Sequence, residues 1–70
     1  MTEFHLEGHP FIELNKLLKL LNLAESGGDA NLIITDGLVK VNEETELQKR
    51  KKLRAGDIVE FEDQKIKIEE

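Results

Sequence analysis

The chain has 70 residues, enough for one small domain with a thin core but too few for a well-enclosed catalytic pocket. It contains no cysteine, which excludes disulfides and cysteine-based metal sites, and no apolar run long enough to span a bilayer. The N-terminus lacks the basic region of a signal peptide, so we expect a cytoplasmic protein.

Basic residues are concentrated, although the chain as a whole is acidic. Its net charge is −5, from 15 acidic and 10 basic residues. Half of the basic residues lie within residues 49–54, whereas the acidic ones are scattered. Because salt screens charges beyond roughly 8 Å, local charge decides what a surface attracts. The sequence therefore predicts an acidic body with one positive patch suited to a polyanion.

The first half of the chain contains a short strand pattern at residues 4–6 and then two helical patterns. Apolar residues at positions 11, 14, 17, 18 and 21 predict a first helix from Pro10 to Leu21, which Asn22 can end in a left-handed conformation. Ser26 begins a capping box and Gly37 suits a C-terminal cap, which predicts a second helix from Gly27 to Asp36. The short linker requires the two helices to pack as a pair.

The second half alternates apolar and polar residues with a period of two, which is typical of strands. We predict strands at residues 38–42, 58–61 and 65–68, separated by polar turns. Val39 and Val41 would share one face of the first strand and Lys40 the other. Two helices followed by short strands indicate a single α+β domain spanning residues 1–70.

Three motifs carry a resemblance to a known family. They are Ser26-Gly27-Gly28-x-Ala30, Gly37-x-Val39-x-Val41-Asn42 and Arg50-Lys51-Lys52-Leu53-x-x-Gly56-Asp57. In this order they resemble the S4 RNA-binding fold, especially the small stand-alone bacterial S4-like family of the YbcJ proteins, over residues 11–61. The resemblance implies a two-helix αL motif packed on a small, mainly antiparallel sheet. It also implies that the αL motif contacts structured RNA, with ribosomal and transfer RNA and a ribosome-associated role as the candidates.

The resemblance directs attention to ten candidate RNA-binding residues. They are Lys49, Arg50, Lys51, Lys52, Arg54, Lys40, Ser26, Gly27, Gly28 and Asn31. The cations would meet phosphates, and the glycine-rich helix start could present N–H groups to one. The chain departs from the family pattern at Asn31, where Lys is usual, at Glu43, where Gly is usual, and at Gln48, where a basic residue is common.

The geometry of residues 49–54 has two open alternatives. In an extended segment Leu53 would point inward and Arg50, Lys52 and Arg54 would form an outer row, whereas in an irregular loop all five cations could reach RNA. Without the resemblance, a solubilising loop paired with nearby glutamates would be the favoured interpretation, and the resemblance reverses this in favour of RNA.

The sequence gives little support for base stacking, metal binding or catalysis. We expect Phe4, Phe11 and Phe61 to lie in the core, so base stacking is not expected and recognition should rest on shape and phosphate. His5 and His9 have helical metal spacing, but Gly8 and Pro10 disfavour a helix there and no third ligand is near. No cofactor-binding or catalytic motif is present, so we expect neither a cofactor nor an enzyme. The main alternative is a protein-interaction module on an S4-like scaffold whose acidic surface meets a basic partner.

Overall fold

Residues 1–70 form two helices and seven short strands in a computed structural model. The elements are, in chain order, β1 (Thr2–His5), β2 (Ile12–Glu13), α1 (Leu14–Leu20), α2 (Gly27–Thr35), β3 (Val39–Val41), β4 (Glu44–Thr45), β5 (Lys52–Leu53), β6 (Ile58–Phe61) and β7 (Gln64–Glu69). The predicted α+β class and the paired helices of the αL motif are confirmed. Neither helix is long and apolar enough to cross a membrane.

The strands form one five-stranded sheet and one two-stranded ladder. The large sheet has the order β1-β7-β6-β3-β4, and only the β1–β7 pair is parallel. The sheet is therefore mainly antiparallel, as expected. The ladder joins β2, directly before α1, to β5 inside the basic run, and pairs Ile12 with Leu53 and Glu13 with Lys52.

The core lies between the helix pair and one face of the large sheet. All fifteen buried residues are hydrophobic, and they form a single cluster. Strands contribute every second residue to it, as the predicted alternation requires: Val39, Val41, Ile66 and Ile68 point inward. Lys40 points to the opposite, outer face of the sheet.

The predicted start of the first helix was wrong. The helix begins at Leu14 rather than Pro10, because Ile12 and Glu13 pair with β5 and adopt strand geometry. Its end was predicted to within one residue, because the helix ends at Leu20 with Leu21 as its C-cap. Asn22 has a φ of 61°, its N–H donates to Lys19, and the next N–H donates to Leu18, which satisfies the last carbonyls of the helix.

The second helix has the predicted caps at both ends. The Ser26 hydroxyl accepts the Asp29 N–H at 3.1 Å, and the Asp29 carboxylate accepts the Glu25 N–H at 3.0 Å. At the other end Gly37 has a φ of 77° and donates its N–H to Ile34. The helix ends at Thr35, one residue earlier than predicted, with Asp36 as its C-cap.

The β3–β4 hairpin contains strain that one substitution should relieve. Its two-residue turn places Asn42 at φ 52° and Glu43 at φ 72°, so Glu43 adopts the conformation that glycine favours. We expect Glu43→Gly to raise the free energy of unfolding by about 1 kcal/mol, measured by urea denaturation. The control is Glu44→Gly, because Glu44 is in extended β4, where glycine should destabilise the protein. Equal effects of the two substitutions would contradict this assignment.

Candidate nucleic-acid interface

Residues 49–54, hereafter the basic segment, are attached to the start of α1 by backbone hydrogen bonds. The N–H groups of Leu14 and Asn15, which have no partner within the helix, donate to Lys51 at 2.9 Å and to Lys49 at 3.0 Å. The β2–β5 ladder continues this attachment, and the fully buried Leu53 anchors it in the core. The segment is therefore held against a helix end and is not a free loop.

The exposure of the side chains follows the extended alternative over most of the segment. Arg50, Lys52 and Arg54 are exposed, Lys51 is half-buried and Leu53 is buried. Lys49 and Arg50 form the turn that precedes the alternation, which a Lys51 N–H to Gln48 hydrogen bond closes. Lys52 and Arg54 thus form an outer row in the extended part, and Lys49 and Arg50 add two exposed charges beside it.

The cations of the basic segment have no carboxylate partner. The ion pairs of the molecule are His5–Glu3, Lys65–Glu60 and Lys67–Glu69, and all three lie on the outer face of the large sheet. The alternative of a loop neutralised by adjacent glutamates is therefore not what the structure contains. The positive charge of the segment remains available to an external anion.

Phe11 departs from its predicted place in the core. It is only half-buried, and two cations of the basic segment lie over its ring. The Lys52 Nζ is 5.0 Å and the Arg54 Cζ is 5.8 Å from the ring centroid, both within cation–π range. Phe61 is buried as expected, and Phe4 is half-buried against the core. The sequence pattern gave no reason to separate Phe11 from the helical stripe. Phe11 lies outside the helix because the next two residues form β2, and β2 depends on pairing with the distant strand β5.

An Asn–Asp contact fixes the end of the basic segment. The Asp57 carboxylate accepts the Arg54 N–H at 2.9 Å and the Asn42 side-chain amide at 3.0 Å. The Asn42 side-chain oxygen in turn accepts the Ile58 N–H at 2.9 Å. Asn42 and Asp57 belong to the motifs of the resemblance, and the structure gives them a positioning role that the sequence did not suggest.

Helix α2 is connected to the basic segment through one side chain. The Asn15 amide donates to the Asn31 side-chain oxygen at 3.2 Å, while the Asn15 N–H donates to Lys49. Asn31 is half-buried and lies one turn beyond the helix start formed by Ser26, Gly27 and Gly28. The start of α2, Asn31 and the basic segment are therefore parts of one helix-pair surface.

Lys40 lies apart from this surface. It projects from the outer face of the sheet, where its neighbours across the strands are Glu60 and Thr45. The helices and the attached basic segment lie on the other side of the core. The structure thus links Asn31 to the five cations of the basic segment, places Ser26, Gly27 and Gly28 at the start of the same helix as Asn31, and leaves Lys40 on a different face.

The chain belongs to the S4 domain family, which matches residues 4–69. The pair of helices packed on a mainly antiparallel sheet agrees with this membership.

Individual relatives extend the comparison. YbcJ of Escherichia coli (strain K12) is 41% identical over 68 residues, which cover 97% of both chains. RlbA of Bacillus subtilis (strain 168), whose name associates it with ribosome maturation, is 39% identical over 51 residues, 73% of this chain and 72% of RlbA. The solution structure of Escherichia coli YbcJ, described as revealing an αL motif involved in RNA-binding, has a TM-score of 0.75 and 40% identity. It aligns with all of this chain and with 89% of the YbcJ chain.

Proposed function

We propose that this chain binds structured RNA through the phosphate backbone and the shape of the RNA, with the basic segment as the main contact. The observation that carries the proposal is the row of exposed cations without carboxylate partners. Lys52 and Arg54 form that row, and the exposed Lys49 and Arg50 lie in the turn beside it. Each cation that meets a phosphate releases counterions from the RNA, so a fixed row of cations favours binding despite the acidic net charge.

The start of α2 and Asn31 would make additional, weaker contacts with the RNA. Ser26 uses its hydroxyl to cap the helix, which leaves the N–H groups of Gly27 and Gly28 available to a phosphate. Asn31 supplies no charge where a lysine would, so its contribution should be polar and weaker. Lys40 would contact RNA only if the RNA extended around the edge of the sheet.

The relatives support the choice of ligand and suggest its source. The αL motif described for the YbcJ structure is involved in RNA-binding, and the RlbA name points to ribosome maturation. We therefore propose ribosomal RNA as the first candidate and transfer RNA as the second. Such a role would place the protein in the cytoplasm and make it a binding protein rather than an enzyme.

A salt titration tests the proposal. We expect the affinity for a structured RNA hairpin to fall roughly 100-fold between about 50 and 200 mM salt, as about four phosphate contacts would require. Fluorescence anisotropy with a labelled hairpin gives the dissociation constant at each salt concentration. An equally long unstructured RNA is the control and should bind more weakly throughout. An affinity that does not depend on salt would contradict a phosphate-led contact and favour the protein-interaction alternative.

A further inference from the structure

A surface groove of about 360 Å³ lies next to the proposed RNA-binding surface and is not used by it. It runs between the end of β1 and the outer ridge of α1. Phe4, Phe11 and Leu20 provide its apolar surface, and Leu20 is 59% exposed. Lys16, Glu7 and Glu13 are among its polar lining residues. The groove is large enough to accept a flat ring system.

Phe11 is shared by this groove and the basic segment. Its ring lines the groove, and Lys52 and Arg54 of the outer row lie over the same ring. A nucleotide whose phosphate meets one of these cations would therefore have its base within reach of the groove. Because the aromatic wall of the groove lies directly beside two cations, the groove suits a nucleic acid better than an uncharged apolar ligand.

The charged residues that line the groove indicate which part of a nucleotide the groove would bind. Glu7 and Glu13 disfavour a phosphate inside the groove, but carboxylates accept hydrogen bonds from the N–H groups at the edge of a base. Guanine offers two adjacent donors of this kind. Aromatic side chains in turn provide a surface on which an unpaired base can stack.

We propose that the groove binds one unpaired base of the RNA, with guanine preferred, stacked on Phe11 while its flanking phosphates lie on Lys52 and Arg54. This inference rests on the proposed RNA binding and adds a specific contact to it. It also revises the expectation that stacking plays no part, because that expectation depended on a buried Phe11.

Three RNA hairpins that differ at one position test the inference. One is fully paired, one has a single bulged guanosine, and one has an abasic site at the bulge. We expect the protein to bind the guanosine bulge about 10-fold more tightly than the abasic bulge, since the two share the same backbone phosphates and only the first has a base to stack. Fluorescence anisotropy at fixed low salt gives the three dissociation constants.

Two variants connect the preference to the groove. Phe11→Leu keeps an apolar side chain but removes the aromatic face, and Leu20→Ala shortens another, exposed apolar residue of the groove. We expect Phe11→Leu to abolish most of the 10-fold preference for the guanosine bulge over the abasic bulge, and Leu20→Ala to reduce this preference by about 3-fold. The ratio of the two affinities is compared within each variant, because loss of the Phe11 ring also removes its contacts with Lys52 and Arg54 and lowers both affinities together. Circular dichroism checks that both variants are folded.

The outcomes separate this inference from the proposed function. Equal affinity of the unmodified protein for the guanosine and abasic bulges would overturn the base-binding groove, and retained salt dependence would leave the phosphate contact intact. A preference for the guanosine that Phe11→Leu and Leu20→Ala do not change would also overturn it. Failure to bind any of the hairpins at low salt would overturn both proposals.

Discussion

Replacing Arg50 and Lys52 together by glutamate is expected to lower the affinity for a structured RNA hairpin by about 100-fold at physiological salt. Both side chains are exposed and neither forms an ion pair, so their charges are available to phosphates. A charge-assisted contact contributes about 1.5 kcal/mol, and two such contacts correspond to about 100-fold in affinity. The slope of log affinity against log salt should fall by about 2. Fluorescence anisotropy over a range of salt concentrations measures both quantities.

The matched control is Lys65→Glu with Lys67→Glu on the outer face of the sheet. Each reversal removes two charge units, so both double variants lower the net charge by the same four units from −5. Lys65 and Lys67 already pair with Glu60 and Glu69, at 3.3 and 3.7 Å. We expect the control to bind RNA nearly as well as the unmodified protein. Equal losses in the two variants would show that overall charge, and not the basic segment, governs binding.

The fold should survive the reversal in the basic segment. The hydrogen bonds that attach the segment to α1 come from backbone groups of Lys49 and Lys51, which the substitutions leave in place. Lys52→Glu places a glutamate directly opposite Glu13 in the β2–β5 ladder, and this like-charge pair costs up to about 1 kcal/mol. Circular dichroism should therefore show an unchanged spectrum and a slightly lower melting temperature.

Leu53→Ala should have the largest effect on stability among substitutions in the basic segment. Leu53 is fully buried, so removing its side chain leaves a cavity and costs about 2–5 kcal/mol. The total stability expected for a chain of this length is roughly 4–10 kcal/mol, so the loss is a large part of it. We expect a much lower urea midpoint and weaker RNA binding, because the row of cations loses its anchor.

Leu47→Ala is the control for this substitution. It makes the same chemical change six residues earlier, at a side chain that is 58% exposed. We expect a change within about 0.5 kcal/mol. If both variants lost equal stability, Leu53 would not anchor the segment.

Helix caps and strand faces could be predicted from the sequence because they depend on neighbouring residues. Ser26, Asn22 and Gly37 act through hydrogen bonds that span only a few positions. The alternation of Val39, Lys40 and Val41 likewise assigns faces without reference to the rest of the chain. These local signals placed α2 within one residue of its observed end.

The start of α1 could not be predicted in this way. Ile12 and Glu13 fit a helical stripe as well as a strand, and their partners Leu53 and Lys52 lie about forty positions later. Only folding brings these residues together, and their pairing shortens the helix by four residues from the predicted start at Pro10. The exposure of Phe11 and its contact with Lys52 follow from the same event.

The sequence by itself determined the order of helices and strands, the hydrophobic faces and the concentration of cations at residues 49–54. The tertiary structure alone decided where those cations point, because backbone bonds to Leu14 and Asn15 and the burial of Leu53 hold the segment at the end of a helix. It also decided that Lys52 and Arg54 contact an aromatic ring and form no ion pair, and that Lys40 lies on another face. Charge density is a property of the chain, whereas the direction and pairing of charges depend on contacts between distant residues.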